Sequence, residues 1–207
     1  AMAIVSAATV RDYVPSISGA GSDTLIDTLI SRFDQLAAAH LGFLRADSGE
    51  ATVEVRTFTE YFDEPVDGEG GRELLLSVRP VVSITSIFDD PDQHYDDTSD
   101  QISSDDFILY GQEGRVVLRN DGVDSKFSSA RRSIRVIYTA GFSGSTMPKA
   151  IQHAACLQVA HWFQARASIG RSNVSSAGQT IALSTLELLP EVKEALAPYR
   201  CAVCWVG

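Results

Sequence analysis

The chain has 207 residues, of which 44% are hydrophobic and 21% are charged, and its formal net charge is −10. This composition suits one globular domain with a sizeable core and excludes a chain that is disordered throughout. The acidic balance argues against a surface that grips nucleic acid through clustered Lys and Arg, but it is compatible with DNA passing close by.

Residues 1–22 are predicted to form an N-terminal arm that leads into a helix over residues 23–46. Ser22 can cap this helix, and Asp23 places a negative charge in the first turn, where the helix dipole favours one. One face carries Leu25, Leu29, Phe33, Leu36 and His40, with Ile26, Ile30 and Ala37 beside it. We therefore expect an amphipathic helix whose apolar face meets the core.

A β-rich region is predicted over residues 51–142, because the apolar pattern changes there from helical to alternating. We expect Val53, Val55 and Thr57 on one face of the first strand, with Glu54 and Arg56 on the other. Further strands are expected at residues 73–78, 81–88, 106–111, 114–119 and 133–142. Their close succession favours antiparallel pairing, with a tight hairpin at residues 110–115 and a break at Arg79-Pro80.

Residues 89–106 contain eight aspartates and no Lys or Arg. Such a run repels itself, so we expect it to protrude as a solvated loop. Calcium binding is the alternative, because oxygen ligands are abundant, but the spacing does not match an EF-hand loop.

A central helix is predicted over residues 147–168, with Pro148 in its first turn. Its core-facing stripe consists of Ile151, Ala155, Val159, Trp162 and Phe163. A second strip consists of Ala150, Ala154, Leu157 and His161, whose small members would let a neighbouring backbone approach closely. Two interpretations stay open: the helix is enclosed within its own domain, or it also meets another chain.

The C-terminal part begins with residues 167–185, which are rich in Ser and Gly and are expected to be mobile. A short helix is predicted over residues 187–198, and an apolar tail follows over residues 199–207. Trp205 and Val206 would be costly to expose, so we expect the tail to dock on another surface.

The elements together predict an α+β fold. Its helical core combines the N-terminal helix, the central helix and the short C-terminal helix, and an antiparallel β region is inserted into it. We treat residues 1–207 as a single domain.

The sequence nominates no catalytic, cofactor-binding or metal-ligating residue, and we predict no cofactor. The segment "GFSGS" at residues 141–145 lacks the final glycine of a nucleophile elbow, and no glycine-rich nucleotide loop is complete. His153 and His161 lie eight residues apart on one helix, too far to hold one metal ion without a partner element.

Three cysteines, Cys156, Cys201 and Cys204, argue against a disulfide framework. We expect Cys156 in the core, whereas Cys201-x-x-Cys204 is half of a zinc knuckle or a plain tail. No apolar run approaches the roughly 18 residues that span a bilayer, and the first residues lack the features of a signal peptide. The expectation is a cytoplasmic origin without a membrane.

The order of elements resembles that of the head-tail connector (adaptor) proteins of tailed bacteriophages and gene transfer agents. The resemblance is carried by "VIYTAGF" (136–142) followed closely by "MPKAIQHAACLQVAHWFQAR" (147–166), by "LAPYR" (196–200), and by "LLLSVRPVVSITSI" (74–87). It covers most of residues 22–200, and the acidic segment 89–106 departs from it as an insertion.

The resemblance implies a structural protein and not an enzyme. It implies a homo-oligomeric ring, commonly of twelve copies, that docks beneath the portal protein, meets a stopper or tail component, and lets DNA pass without specific binding. The location would be the capsid-tail junction of the virion, after assembly in the host cytoplasm. The portal-facing tail would include Tyr199, Arg200, Trp205 and Val206, and the subunit interface Ala150, Ala154, Leu157 and His161.

Two alternatives remain at this stage. The chain could be a small cytoplasmic α+β enzyme or ligand-binding domain with its site between the β region and the helices. It could also be another neck component, such as a stopper.

Overall fold

The computed structural model describes residues 4–14, 22–63, 71–120, 123–128, 130–166, 173–176, 179–182 and 187–201. The contacts divide the chain into two compact units. Residues 1–41 and 144–200 belong to one, called the helical unit here, and residues 42–143 and 201–207 belong to the other, the β unit. The predicted α+β class, a helical core with an inserted β region, is confirmed. That residues 1–207 act as one domain stays a prediction.

The helical unit contains α1 (Ala7–Tyr13), α2 (Asp23–Leu41), α3 (Lys149–Ala165) and α4 (Pro190–Leu196). Helix α3 is central, because α1, α2 and α4 all pack against it. The core between these helices includes Ile26, Phe33, Leu41, Ile151 and Leu196, all fully buried.

Some helix boundaries differ from the predicted ones. The helix predicted over residues 23–46 ends at Leu41, because Gly42 takes a left-handed φ of 78°, which ends an α-helix. The arm predicted for residues 1–22 contains α1, which begins where the Ser6 hydroxyl oxygen accepts the Thr9 N–H at 3.1 Å. The helices predicted over residues 147–168 and 187–198 are shorter, and one 3₁₀ turn follows α4.

Helix α2 buries a different stripe from the predicted one. Its buried residues are Ile26, Ile30, Phe33, Ala37, Ala38 and Leu41. Leu25 is 39% exposed, and Leu29 and Leu36 are half-buried. The buried stripe is displaced by about one residue around the helix from the predicted stripe. The apolar residues of α2 cover two adjacent stripes, and the sequence alone does not show which of the two is buried.

The β unit contains β1 (Arg56–Phe62), β2 (Glu73–Leu75), β3 (Val81–Asp89), β4 (Phe107–Tyr110), β5 (Arg115–Asn120), β6 (Val123–Asp124) and β7 (Ile134–Ala140). One sheet has the order β1-β7-β3, and a second has the order β2-β5-β4 with β6 paired to β5. All of these pairs are antiparallel, as predicted. The hairpin between β4 and β5 is confirmed, and the Arg79-Pro80 break separates two strands that belong to different sheets.

The face assignment of the first strand was wrong. Strand β1 begins at Arg56, after an irregular approach, and it buries Phe58, Glu60 and Phe62 while Thr57 is exposed. The alternation therefore restarts at Arg56, and the core face includes a carboxylate.

The end of β7 is fixed by Gly141. Its φ is 114°, and a Cβ at this position would lie 2.5 Å from the Glu54 carbonyl oxygen. Only glycine allows this close approach of two backbone segments.

The mobility expected for residues 167–185 stays a prediction. Among the described residues, this stretch includes a two-stranded antiparallel hairpin. It consists of β8 (Asn173–Ser176) and β9 (Gln179–Ala182).

Candidate assembly surfaces

Helix α3 is apolar around most of its circumference because three helices of its own chain cover it. Its buried residues include the predicted stripe of Ile151, Ala155, Val159, Trp162 and Phe163. The Arg32 guanidinium of α2 lies 4.6 Å from the centre of the Trp162 ring, a cation–π contact between the two helices. Of the second strip, this packing accounts for Ala154 alone.

The four predicted interface residues are placed differently. Ala150 is exposed, Leu157 is 38% exposed and His161 is half-buried. Ala154 is 0% exposed, so it has no surface to offer a neighbouring subunit. Its assignment to an interface was therefore wrong.

What α3 leaves uncovered is a strip without carboxylates, which we call the α3 strip. It consists of Lys149, Ala150, His153, Leu157, His161 and Gln164. Tyr13 of α1 extends it: its hydroxyl lies 3.0 Å from His153 Nδ1, and the two ring centres are 5.5 Å apart. Tyr13 is itself 47% exposed. Neutral aromatic and aliphatic groups at a protein surface are typical of contact regions.

The segment that enters α4 is fastened to α3 by one amide side chain. Gln158 is fully buried; its Oε1 accepts the Leu189 N–H at 2.7 Å, and its Nε2 donates to the Glu187 carbonyl at 3.5 Å. A role for Gln158 was not predicted, because nothing in its local pattern distinguishes it from a surface glutamine.

The predicted portal-facing tail is only partly described. Tyr199 is half-buried and Arg200 is exposed, and both interact with other groups of the chain. Burial lowers the pKa of His40, as do the nearby charges of Arg200 and Lys193, which places the end of α2 close to this segment. Trp205, Val206 and Cys204 lie outside the described residues.

The two described cysteines are buried thiols. Cys156 belongs to the core of α3, as predicted, and the Cys201 thiol lies 3.9 Å from the Arg79 carbonyl oxygen in the β unit. Burial raises the pKa of both, which disfavours the reactive thiolate.

The β unit contains a buried polar network that the sequence analysis also missed. The Glu60 carboxylate, 7% exposed, accepts the Tyr138 hydroxyl, the Ser77 hydroxyl at 2.8 Å and the Ser77 N–H at 3.1 Å. The Tyr138 hydroxyl oxygen in turn accepts the Val78 N–H at 3.3 Å. Burial raises the pKa of Glu60, although its hydrogen bonds from Tyr138 and Ser77 oppose that rise. The network ties the segment between β2 and β3 to the sheet.

The acidic segment does not simply protrude. Asp90 is buried, and its carboxylate accepts the N–H groups of Asp92, His94 and Tyr95 at 2.7 to 2.8 Å, which lowers its pKa. Further along, Ile102 donates to the Ile87 carbonyl at 2.9 Å, so the segment returns along the edge of β3. Within the described ranges, no group of three or more His, Cys, Asp or Glu side chains could hold a metal ion. The segment that was predicted as a solvated loop therefore covers part of the edge of β3.

A small cavity of about 240 Å³ lies between β3 and this returning segment. Its lining includes Ile84, Ser86, Gln101 and Phe107, and no ionisable side chain takes part. Such a lining offers neither a general base nor an acid.

The model of a known protein family matches residues 3–202, which is nearly the whole chain; the family is described as "HCP: Head completion protein". The chain belongs to the head completion protein family. The predicted resemblance to head-tail connector proteins of phages and gene transfer agents (GTAs) is thereby confirmed. The family is structural and not enzymatic, which removes the enzyme alternative.

Solved neck structures share the fold. A chain from "Neck of empty GTA particle computed with C6 symmetry" has a TM-score of 0.54 at 16% identity, covering 97% of this chain and 91% of that one. A chain from "Neck of native GTA particle computed with C12 symmetry" has a TM-score of 0.50 at 16% identity, with coverages of 97% and 90%. A third, from "Virion of native gene transfer agent (GTA) particle", has a TM-score of 0.51 at 15% identity, with coverages of 97% and 91%. No curated protein matches the chain significantly.

Proposed function

We propose that this head completion protein is the adaptor of a particle neck, forming a ring of twelve copies below the portal and joining the capsid to the tail. The observation that carries the proposal is the family match over residues 3–202. Support for the copy number comes from the fold likeness to a neck chain solved with C12 symmetry. The protein would be located at the capsid-tail junction after assembly in the host cytoplasm.

The helical unit supplies the surface that such a ring needs. In a closed heterologous ring every copy uses two different patches, so each copy must expose contact area beyond what its own core covers. Ala150, Leu157 and His161 of the α3 strip fit that requirement, whereas Ala154 does not.

The C-terminal tail is the proposed contact with the portal. Tyr199 and Arg200 lead into the apolar segment 201–207, where Trp205 and Val206 would bury their side chains against a partner. The opposite side of the ring would meet a stopper or tail component.

DNA would pass through the ring without specific binding. Each copy carries a formal charge of −10, and an acidic wall repels phosphate.

No helix among the described residues is long and apolar enough to cross a membrane.

Deleting residues 202–207 tests the portal contact. This deletion keeps the buried Cys201, so we expect unchanged thermal unfolding but loss of the protein from purified particles, counted by quantitative mass spectrometry. A control in which residues 202–207 are replaced by Gly-Ser repeats of equal length should fail in the same way. Incorporation of either variant at the wild-type level would contradict the proposal.

A photo-crosslinker at position 205 separates an adaptor from a stopper. Capture of the portal protein in assembled particles is expected for an adaptor. Capture of tail proteins alone would support the stopper alternative.

A further inference from the structure

The charges of the chain are segregated along its sequence. Residues 125–186 contain no Asp or Glu and seven Lys or Arg, whereas the whole chain has 27 acidic and 17 basic residues. Helix α3 lies within this stretch, so its exposed face is neutral or positive in a protein that is acidic overall.

The α3 strip has an apolar centre and a cationic end. Leu157 and Tyr13 provide the apolar area, and Lys149 provides the charge at the start of the helix. His153 is occupied by its hydrogen bond with the Tyr13 hydroxyl, which fixes both rings. The Tyr13–His153 pair thus orders part of the strip, and Lys149 favours a carboxylate on the partner opposite its cationic end.

The outward side of α2, which we call the α2 face, is mostly neutral and carries one carboxylate, that of Asp27. Its exposed residues are Thr24, Leu25, Asp27, Thr28, Ser31, Gln35 and Ala39. The Thr28 and Ser31 hydroxyls donate back to the Thr24 and Asp27 carbonyls at 2.8 and 3.0 Å. These short side chains would let another helix approach closely, beside an exposed leucine and an aspartate.

We infer that the α3 strip of one copy packs against the α2 face of the next copy in the ring. The inference rests on the proposed ring and names the two patches that its heterologous contacts use. The faces are two different patches of one helical unit, they carry complementary charge, and each has a partly exposed leucine. Leu157 and Leu25 form the apolar part of the contact, with Lys149 and Asp27 among the charges that set its polarity.

Charge reversal on each face tests this arrangement. One variant, Lys149→Glu with Gln164→Glu, makes the α3 strip acidic; the other, Asp27→Lys with Gln35→Lys, makes the α2 face basic. Each purified variant is incubated with particles that lack the protein, and bound copies per particle are counted by mass spectrometry. We expect each variant alone to bind at least about tenfold less than wild type at low salt, because like charges then meet at every contact.

Two combinations should restore assembly. An equimolar mixture of the variants can alternate around the ring, so that each contact is either native or fully reversed, and the fourfold variant reverses every contact. Both should recover to within about threefold of wild type, and the defect of the single-face variants should shrink at about 0.5 M salt. Gln112→Glu and Ser48→Lys introduce the same side chains at exposed positions of the β unit, away from both faces, and should bind like wild type.

Other outcomes overturn the inference in distinguishable ways. Wild-type binding by the single-face variants, or failure of both combinations to recover, refutes the pairing of these faces and leaves the adaptor proposal intact. A defect confined to the acidic α3 variant assigns the strip to another partner, such as DNA. If wild type itself never joins particles, the proposed ring fails and this inference fails with it.

Discussion

The helical unit and the β unit expose apolar side chains in different settings. In the β unit, the exposed Leu75 and Tyr110 flank Arg115, whose guanidinium stacks 4.3 Å over Tyr110 and pairs with Glu73 and Glu113. In the helical unit, Leu157 and Tyr13 belong to a strip whose only charged residue on α3 is Lys149.

Ion pairs around an apolar group suit a surface that stays in water, because such pairs add little to stability and remain hydrated. An apolar strip without carboxylates suits burial, because little charge has to be desolvated. This contrast supports the proposal that the subunit contacts involve the helical unit.

Among the substitutions that test this comparison, Ala154→Arg is expected to have the largest effect. Ala154 is fully buried, so an arginine must overpack the core or leave a charge unpaired, and we expect a loss of about 3 kcal/mol or more in the free energy of unfolding. Urea denaturation measures the loss. The control Ala150→Arg, one turn earlier on the exposed side, should change stability by about 0.5 kcal/mol at most. Equal stabilities of the two variants would contradict the burial of Ala154.

A smaller effect is expected at the buried amide of the helical unit. Gln158→Leu keeps the volume but leaves the Leu189 N–H without its acceptor, which should cost about 1–3 kcal/mol. Gln164→Leu on the exposed side of α3 is the matched control and should be nearly neutral. A neutral Gln158→Leu would show that the segment before α4 is not held by this amide.

The smallest effect concerns the buried network of the β unit and appears as a change of pH dependence. The pKa of Glu60 is raised above its ordinary value of 4.5, so the folded state holds this proton more tightly than the unfolded state does. Below pH 4.5 both states are protonated; as pH rises from there towards the folded-state pKa, this group lowers the free energy of unfolding.

Glu60→Gln should remove that component, because an amide accepts from Ser77 without titrating. Urea denaturation between about pH 4 and pH 8 should give a flatter stability profile for Glu60→Gln than for wild type. Asp105→Asn, an exposed carboxylate of the acidic segment, is the control and should keep the wild-type slope. Identical profiles for wild type and Glu60→Gln would mean that Glu60 titrates in the same way in both states.

Local patterns predicted most of the strands, their antiparallel sense and one hairpin, because alternation and turn residues act over a few positions; the pairing of β1 and β3 with β7 was not predicted. The hairpin around Gly114, the strand break at Pro80 and the start of α3 after Pro148 all follow from such short-range rules. The family resemblance came from the same kind of pattern, extended over the order of elements.

Features that depend on distant partners were not predicted. Glu60 looks like a surface residue until Ser77 and Tyr138, 17 and 78 residues away, supply its donors. Ala154 and Ala150 are equivalent by composition, and only the packing of α1, α2 and α4 on α3 makes one buried and the other exposed. The sequence thus indicated a second strip on α3, but it could not show which members of that strip are exposed and which are buried.

The helical unit is built from both ends of the chain, and this order has a consequence for synthesis on the ribosome. Helix α2 ends at Leu41 and α3 begins at Lys149, so α2 emerges about 100 residues before the helix that it packs against. Most of the β unit, residues 42–143, lies between these two helices and is synthesised before α3. Helix α2 therefore leaves the apolar surface that packs on α3 uncovered until residues 149–165 have been synthesised.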